Sequence, residues 1–282
     1  MQHTPPNPDD ASLGPMDDSE LHAMLAHDEH HWWYRGRRRV LRAAINRCNL
    51  PPRPQLLDAG CGSGRTLDEL AQLGTAAGVD LSPEAVAFTR RRGHEDVRVA
   101  AIESLPFDDA TFDLVTCLDV IEHTPDDVAS LAELRRVTRP GGVAIVTVPA
   151  HPVLWSHHDV VNRHYRRYRV RDLRAAAAAA GWDITFDTYF NSALLAPAAA
   201  VRLLQRTRSG AGDQRSDLER TPAWLDRALE LPLAAEARLV RARTRIPFGL
   251  SLLAVLRDPL LPVGPALPVT SPAISLRLQG AA

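Results

Sequence analysis

The sequence predicts an α/β protein whose strands lie mostly parallel in one open sheet. Three observations carry that expectation. From residue 55 onward, short apolar runs of strand length alternate with longer stretches of helical periodicity, the pattern of repeated crossover units. The first apolar run ends in a glycine-rich turn that opens directly into a helix, Leu56-Leu57-Asp58-Ala59-Gly60-Cys61-Gly62-Ser63-Gly64. Open α/β sheets bind ligands at such connections. At 282 residues and 45% hydrophobic composition, the chain can also fill one large core or two small ones, at about 150 residues each.

Taken in order, residues 1–18 carry Pro5, Pro6, Pro8 and four aspartates with no apolar stretch, which reads as a disordered tail and neither a signal peptide nor an anchor. A helical pattern starts at Ser19, with Leu21, Met24 and Leu25. A second helix is expected over 37–49, where Val40, Leu41, Ala44 and Ile45 share a face and Leu50-Pro51-Pro52 ends the run. Strand 55–59, helix 64–73, strand 76–80, helix 83–92 and strands 97–100 and 112–118 follow. Helix 129–137, strand 142–148, helix 170–180 with its alanine run, and strand 182–189 bring the strands to six.

Past Phe190 the composition turns apolar and arginine-rich, with helical stretches at 193–207 and 222–243 around a Gly/Ser/Asp-rich loop at 209–217. The run 248–256, FGLSLLAVL, reads as a last buried strand. The intervening segment 191–246 is far longer than ordinary connections and is expected to be a functional helical insertion or lid. Five prolines between Pro259 and Pro272 make 258–282 an irregular tail. The main domain is thus expected over 19–257, with 19–50 as a helical cap.

Net charge is −1, without the positive field of a nucleic-acid binder. All 33 basic residues are arginine, so chemistry that needs a lysine amine, such as a Schiff base or a phosphate-loop lysine, is excluded. Cys48, Cys61 and Cys117 are too few and too scattered for a disulfide framework or a four-ligand zinc site. No run reaches the roughly 18 apolar residues of a spanning helix. A soluble, cytoplasmic protein of unstated oligomeric state is expected.

The glycine loop is the most informative motif. A dinucleotide fingerprint needs glycine where Arg65 stands; the spacing here is G-x-G-x-G. Asp80 closes the next apolar run 20 positions after Gly60, where a carboxylate can accept both hydroxyls of a ribose. The inference is a ligand with a ribose and without a pyrophosphate.

LLDAGCGSGRT, followed by GVDLSP, ESLPFDDATFDLVTCLDVIEH and LRRVTRPGG, resembles the class I S-adenosylmethionine-dependent methyltransferases over about 110 residues, within the broad subgroup of type 11 and type 12 domains. HHWWYRGRRRVL and HYRRY resemble a bacterial subset with no single substrate. The resemblance implies a Rossmann-like seven-stranded sheet with helices on both faces and an antiparallel last strand, which FGLSLLAVL would supply. It also implies S-adenosylmethionine as cofactor, with Asp58, Gly60, Gly62 and Gly64 around its amino-acid and ribose parts, Asp80 on the ribose, and Leu81, Ile102 and Leu118 lining the site. Where the family often has an acidic residue near the adenine, this chain has Ala101.

Methyl transfer asks the protein mainly to position the acceptor, with a base only if the acceptor carries a proton. His123, after the fourth strand, is the candidate base; packing in the turn before Pro125 is the competing reading. Asp119, Glu122 and His123 have the chemistry of a metal site, but surface solvation is the favoured reading and no metal is expected. His157, His164, Tyr165 and Arg166 lie in a basic segment beyond the fifth strand, suited to an anionic small-molecule acceptor or simply to solvent. Tyr34 and Arg37, in the aromatic and basic stretch 30–39, are expected to cover the cofactor; a surface amphipathic helix anchored by Trp32 and Trp33 is the competing reading. The leading expectation is methyl transfer to O or N of a small molecule. Alternatives are an amphiphilic or lipid-linked acceptor, an NAD(P)-dependent oxidoreductase, and a non-catalytic binding protein.

Overall fold

The computed structural model describes residues 25, 28–200 and 222–259. The expected N-terminal tail, most of the helix from Ser19, the loop at 209–217 and nearly all of the proline-rich tail lie outside them. Seven strands form one sheet: β1 (Gln55–Ala59), β2 (Thr75–Asp80), β3 (Val97–Val99), β4 (Phe112–Leu118), β5 (Thr138–Pro149), β6 (Asp183–Phe190) and β7 (Ser251–Arg257). Their spatial order is β3-β2-β1-β4-β5-β7-β6. The first five pair in parallel, and β7 runs antiparallel between β5 and β6.

Strands buried on both faces need apolar side chains at most positions, and the central parts of β4, β5 and β7 supply them. Leu114, Leu118, Val143, Ile145, Leu253 and Val255 fill one core. Their neighbours Val115, Cys117, Ala144, Val146, Ala254 and Leu256 fill the other, as the two-residue period of a strand requires. The first core is covered by α1 (Trp32–Ile45), α2 (Arg65–Leu70), α3 (Pro83–Arg91) and α7 (Ala223–Arg241); the second by α4 (Asp127–Val137) and α6 (Val170–Ala179). A short α5 (His157–Val161) precedes α6. Ser82 and Asp126 start α3 and α4 by accepting the amides of Ala85 and Ala129.

Three boundaries differ from expectation for identifiable reasons. Helix α1 begins at Trp32, capped by the His31 imidazole, which accepts the Trp33 amide, and ends at Ile45. The aromatic and arginine residues of its first turn masked the period because they are partly buried: Trp33 stacks on Phe190 at 5.7 Å and 3°. Strand β5 extends back to Thr138, through an irregular pairing between Phe112 and Leu114. Strand β7 starts at Ser251, not 248, because Gly249 first crosses the backbone of Phe190.

The described part of the insertion braces the N-terminal helix. Residues 195–200 are helical, and α7 lies along α1, where Gly36 lets Leu233 pack against the α1 backbone. Glu230 faces Arg35 and Arg39, and Asp226 accepts the Trp32 amide at 3.4 Å. The buried Glu236 carboxylate accepts the amides of Asn191 and Ser192 at 2.6 and 2.8 Å, holding the turn that leaves β6.

A Cβ at Gly249 would lie 2.1 Å from the Phe190 carbonyl oxygen. A backbone atom cannot rotate aside, so Gly249→Ala should destabilise the protein by about 1–3 kcal/mol. Urea unfolding of the two proteins measures this.

Candidate functional site

Between β1 and β4 the order of strand addition reverses, and such switch points open a crevice beyond the carboxyl ends of the strands. The glycine loop forms its floor. Gly60 has φ +84°, and a Cβ there would sit 2.4 Å from a Val120 methyl, so the tight turn out of β1 requires glycine. Gly64, at φ +78°, starts α2. Gly62 donates its amide to Asp80 Oδ2 at 2.8 Å, while its carbonyl accepts the Thr89 hydroxyl at 2.7 Å.

Asp80 ends β2, and its Oδ1 accepts the Ser82 amide at 2.9 Å. Burial pushes this carboxyl above the usual carboxylate range, although the backbone bonds pull it down. Leu81, beside it, is 52% exposed, whereas Ile102 and Leu118 are buried. Asp58 lies inside β1, where the Thr116 hydroxyl donates to its Oδ1 at 2.6 Å. Burial pushes the Asp58 carboxyl up to about 7.

The segment before α1 folds onto this loop. Asp28 accepts the Ser63 hydroxyl and pairs with Arg38 at 2.6 Å. Arg65, which excludes the dinucleotide fingerprint, is held by Glu29 and Asp68. Arg37 reaches Asp119 at 2.7 Å and lies 5.4 Å from the Tyr34 ring centroid. Tyr34 is buried, and Asp119 takes a left-handed backbone, φ +57°, just past β4. A non-glycine residue in that region is strained, and such strain gathers at functional sites. Tyr34 and Arg37 therefore stand at the end of β4 rather than on an exposed amphipathic surface.

Three more residues converge beside Asp119. Glu122 is 0% exposed, and among the described residues neither of its carboxylate oxygens has a hydrogen-bond partner of normal geometry, although its own backbone amide, Arg37 and Arg167 favour its charged form. Burial, then the nearby Asp119, pushes this carboxyl well above the usual range. Ligand atoms of Glu122, His123 and His164 all lie within 4.8 Å of one another. The two histidine rings meet edge to face at 4.6 Å. His164 Nδ1 is 2.9 Å from Asp159, whose carboxylate also accepts from Arg167 at 2.6 Å. The Tyr165 amide donates to the Glu122 carbonyl at 2.7 Å, tying the loop before α6 to the end of β4.

The favoured reading of Asp119, Glu122 and His123 as solvated groups is corrected for Glu122, which is buried and held under the loop before α6; Asp119 and His123 are half-buried. The basic segment is also less open than its composition suggests. Arg166 pairs with Asp127 at 2.8 Å and Arg174 with Asp187 at 2.6 Å. His157 lies in α5, with its side chain outside the described residues. Sequence reasoning missed Asp28, Asp159 and the approach of His164 to His123. The Glu-His pair directly after a strand was the only local signal.

Residues 57–146 match the methyltransferase domain family. That match covers about a third of the chain. The match spans the glycine loop, Asp80, Leu118 and His123, and leaves out Tyr34, Arg37 and the segment with His164. The chain is 38% identical over 95 residues to a ubiquinone biosynthesis O-methyltransferase of Xanthomonas oryzae, covering 31% of this chain and 40% of that one. It is 31% identical over 160 residues to a protein of Mycolicibacterium smegmatis named as an S-adenosylmethionine-dependent methyltransferase, covering 55% and 61%. The chain therefore spans less than two thirds of either relative's length.

Solved structures agree on the fold of the domain. A chain from the complex of the Haloferax volcanii Trm112 methyltransferase activator with a methyltransferase superposes with a TM-score of 0.56 at 22% identity, covering 86% of this chain and 95% of that one. The (4+2)-cyclase SpnF gives 0.56 at 18%, covering 88% and 97%. No helix among the described residues is long and apolar enough to cross a membrane.

The raised Asp58 carboxyl sets a pH dependence. In the unfolded chain it loses its proton near 4, in the folded protein near 7. Over that window the folded state binds more protons, so this group's stabilising contribution is lost as pH rises, by at most about 1.4 kcal/mol per pH unit. Thermal unfolding of wild type and Asp58→Asn between pH 4 and 8 should show wild type losing stability relative to the variant up to pH 7, then running parallel to it.

Proposed function

We propose that this protein is an S-adenosylmethionine-dependent methyltransferase acting on an oxygen or nitrogen of a small molecule. The observation that carries the reading is the joining of the glycine loop to Asp80: one carboxylate, bonded to the Gly62 and Ser82 amides, at the mouth of the switch-point crevice. The residues fit a nucleoside. Asp80 keeps acceptor capacity for ribose hydroxyls, and the exposed Leu81 offers an apolar face for a base; Ile102 and Leu118, buried in the two separate cores, would add apolar surface behind it. Asp58, Gly60, Gly62 and Gly64 would surround the amino-acid and ribose parts, with Tyr34 and Arg37 covering them from α1. The cofactor supplies an activated methyl group on sulfur. The chain's own residues hold donor and acceptor in line and receive the acceptor's proton, for which His123 and His164 are placed beside Glu122.

His164, Tyr165 and Arg166 lie on the acceptor side of this arrangement, in the loop before α6, with His157 in α5 ahead of them. A soluble, cytoplasmic setting is the accompanying inference. A second reading, an amphiphilic or lipid-linked acceptor, draws on the outer face of α7, where Trp224 and Leu231 are 70% and 71% exposed two turns apart. Release of S-adenosylhomocysteine from matched water-soluble and long-chain acceptors separates the two readings.

Asp80→Ala should weaken S-adenosylhomocysteine by about 1.5–3 kcal/mol, roughly ten- to a hundredfold, in a folded protein. Calorimetric titration decides, and an unchanged dissociation constant would place the ribose elsewhere. His123→Asn should lower turnover about a hundredfold while leaving the dissociation constant within a few fold. Steady-state kinetics alongside calorimetry separates that outcome from a turn-packing role, in which the melting temperature falls and turnover holds.

A further inference from the structure

We propose that Glu122, His123 and His164 form a binding site for one divalent transition-metal ion at the carboxyl end of β4. A buried carboxylate without hydrogen-bond partners is costly to keep charged, and native proteins pair such groups or use them to coordinate cations. Glu122 is such a group: fully buried, with both oxygens lacking a hydrogen-bond partner among the described residues. The guanidinium groups nearest the cluster are engaged elsewhere, Arg37 with Asp119 at 2.7 Å and Arg167 with Asp159 at 2.6 Å. What Glu122 does face is two imidazoles, with ligand atoms of all three residues within 4.8 Å of one another.

The surroundings match those of a metal-bound histidine. Asp159 accepts from His164 Nδ1 at 2.9 Å. Such a bond sets the tautomer that carries its lone pair on Nε2 and raises its basicity, the usual outer partner of a ligating histidine. Arg167 and the Ser156 amide in turn fix Asp159. Two imidazoles and one carboxylate suit zinc, manganese, iron or cobalt more than magnesium or calcium. Ligands about 2.0–2.2 Å from zinc lie about 3.3–3.6 Å from one another, so the side chains need to draw in by about an ångström. Three protein ligands leave a coordination position open, as catalytic sites do.

The site's use rests on the methyltransferase reading. An acceptor hydroxyl at the open position is acidified. With the ion bound, His123 and His164 are its ligands and solvent replaces them as the proton acceptor: the proton passes to water, the oxygen bonds to the methyl carbon, and the carbon–sulfur bond breaks with its electron pair on sulfur, leaving S-adenosylhomocysteine. Oxygen acceptors are favoured over amines on this account.

The test uses the full chain without a histidine tag, stripped with a chelator and titrated with zinc and cobalt ions. Expected are one equivalent bound per chain by calorimetry and elemental analysis, and a visible cobalt spectrum of nitrogen and oxygen ligation. Glu122→Gln and His164→Ala should each weaken zinc at least fiftyfold. Glu122→Gln without metal should melt no lower than wild type, which keeps the loss from being read as misfolding. Wild type that binds neither ion, or Glu122→Gln that binds zinc as tightly as wild type, overturns the site. Titration of S-adenosylhomocysteine into the same samples tests the methyltransferase reading separately: its binding with no metal bound defeats only the site, and metal bound without it defeats only that reading.

Discussion

The pairing of β1 with β4 is the constraint on which the site depends. Three consecutive contacts, Leu56 with Leu114, Leu57 with Val115 and Asp58 with Thr116, join two strands separated by the whole β2 and β3 excursion. Because the chain leaves β1 toward one edge and returns at β4 toward the other, the loops after these strands diverge and leave a crevice. The glycine loop, Asp80 and Asp119 all take their positions from it. The Thr116 hydroxyl, bonded to both the Asp58 carboxylate and the Leu57 carbonyl, ties the two strands at that point with side-chain as well as ladder bonds.

Charge is handled in this protein almost entirely by arginine, and most of it is spent internally. Arg136 shows the pattern: one guanidinium serves Glu133, Asp109 and the carbonyls of Leu105 and Phe107. A planar fork with five donors can bind several acceptors at once, which a lysine ammonium cannot match. The same habit places Arg37, Arg38 and Arg167 around the crevice, each already engaged with an aspartate. Against that background Glu122 stands apart, as a buried acid whose carboxylate has no hydrogen-bond partner among the described residues.

Much of the sheet was legible in the sequence because each strand is a short apolar run with polar or glycine punctuation; β1 and β4 match their expected bounds at both ends. Helix ends were less legible, since α1 begins with tryptophans and arginines that pack rather than alternate. The glycine loop and Asp80 were readable because one short crossover brings them together. His164 was not readable as a neighbour of His123. Forty-one positions separate them, and the loop that joins them has no period to follow. The paired state of Arg166 and Arg167 was hidden for a similar reason: their partners, Asp127 and Asp159, look like ordinary surface acids until the fold gathers them.

Helix α1 touches the crevice with one side and α7 with the other. Arg37 and Arg38 point toward Asp119 and Asp28, while Arg35, Gly36 and Arg39 meet Glu230 and Leu233. Residues from the start of the chain and from the insertion thus make up a single roof, although nearly two hundred positions separate them. For anyone recombining this protein with its relatives, that roof is one exchangeable part. A graft that imports a foreign insertion must bring its matching first helix with it.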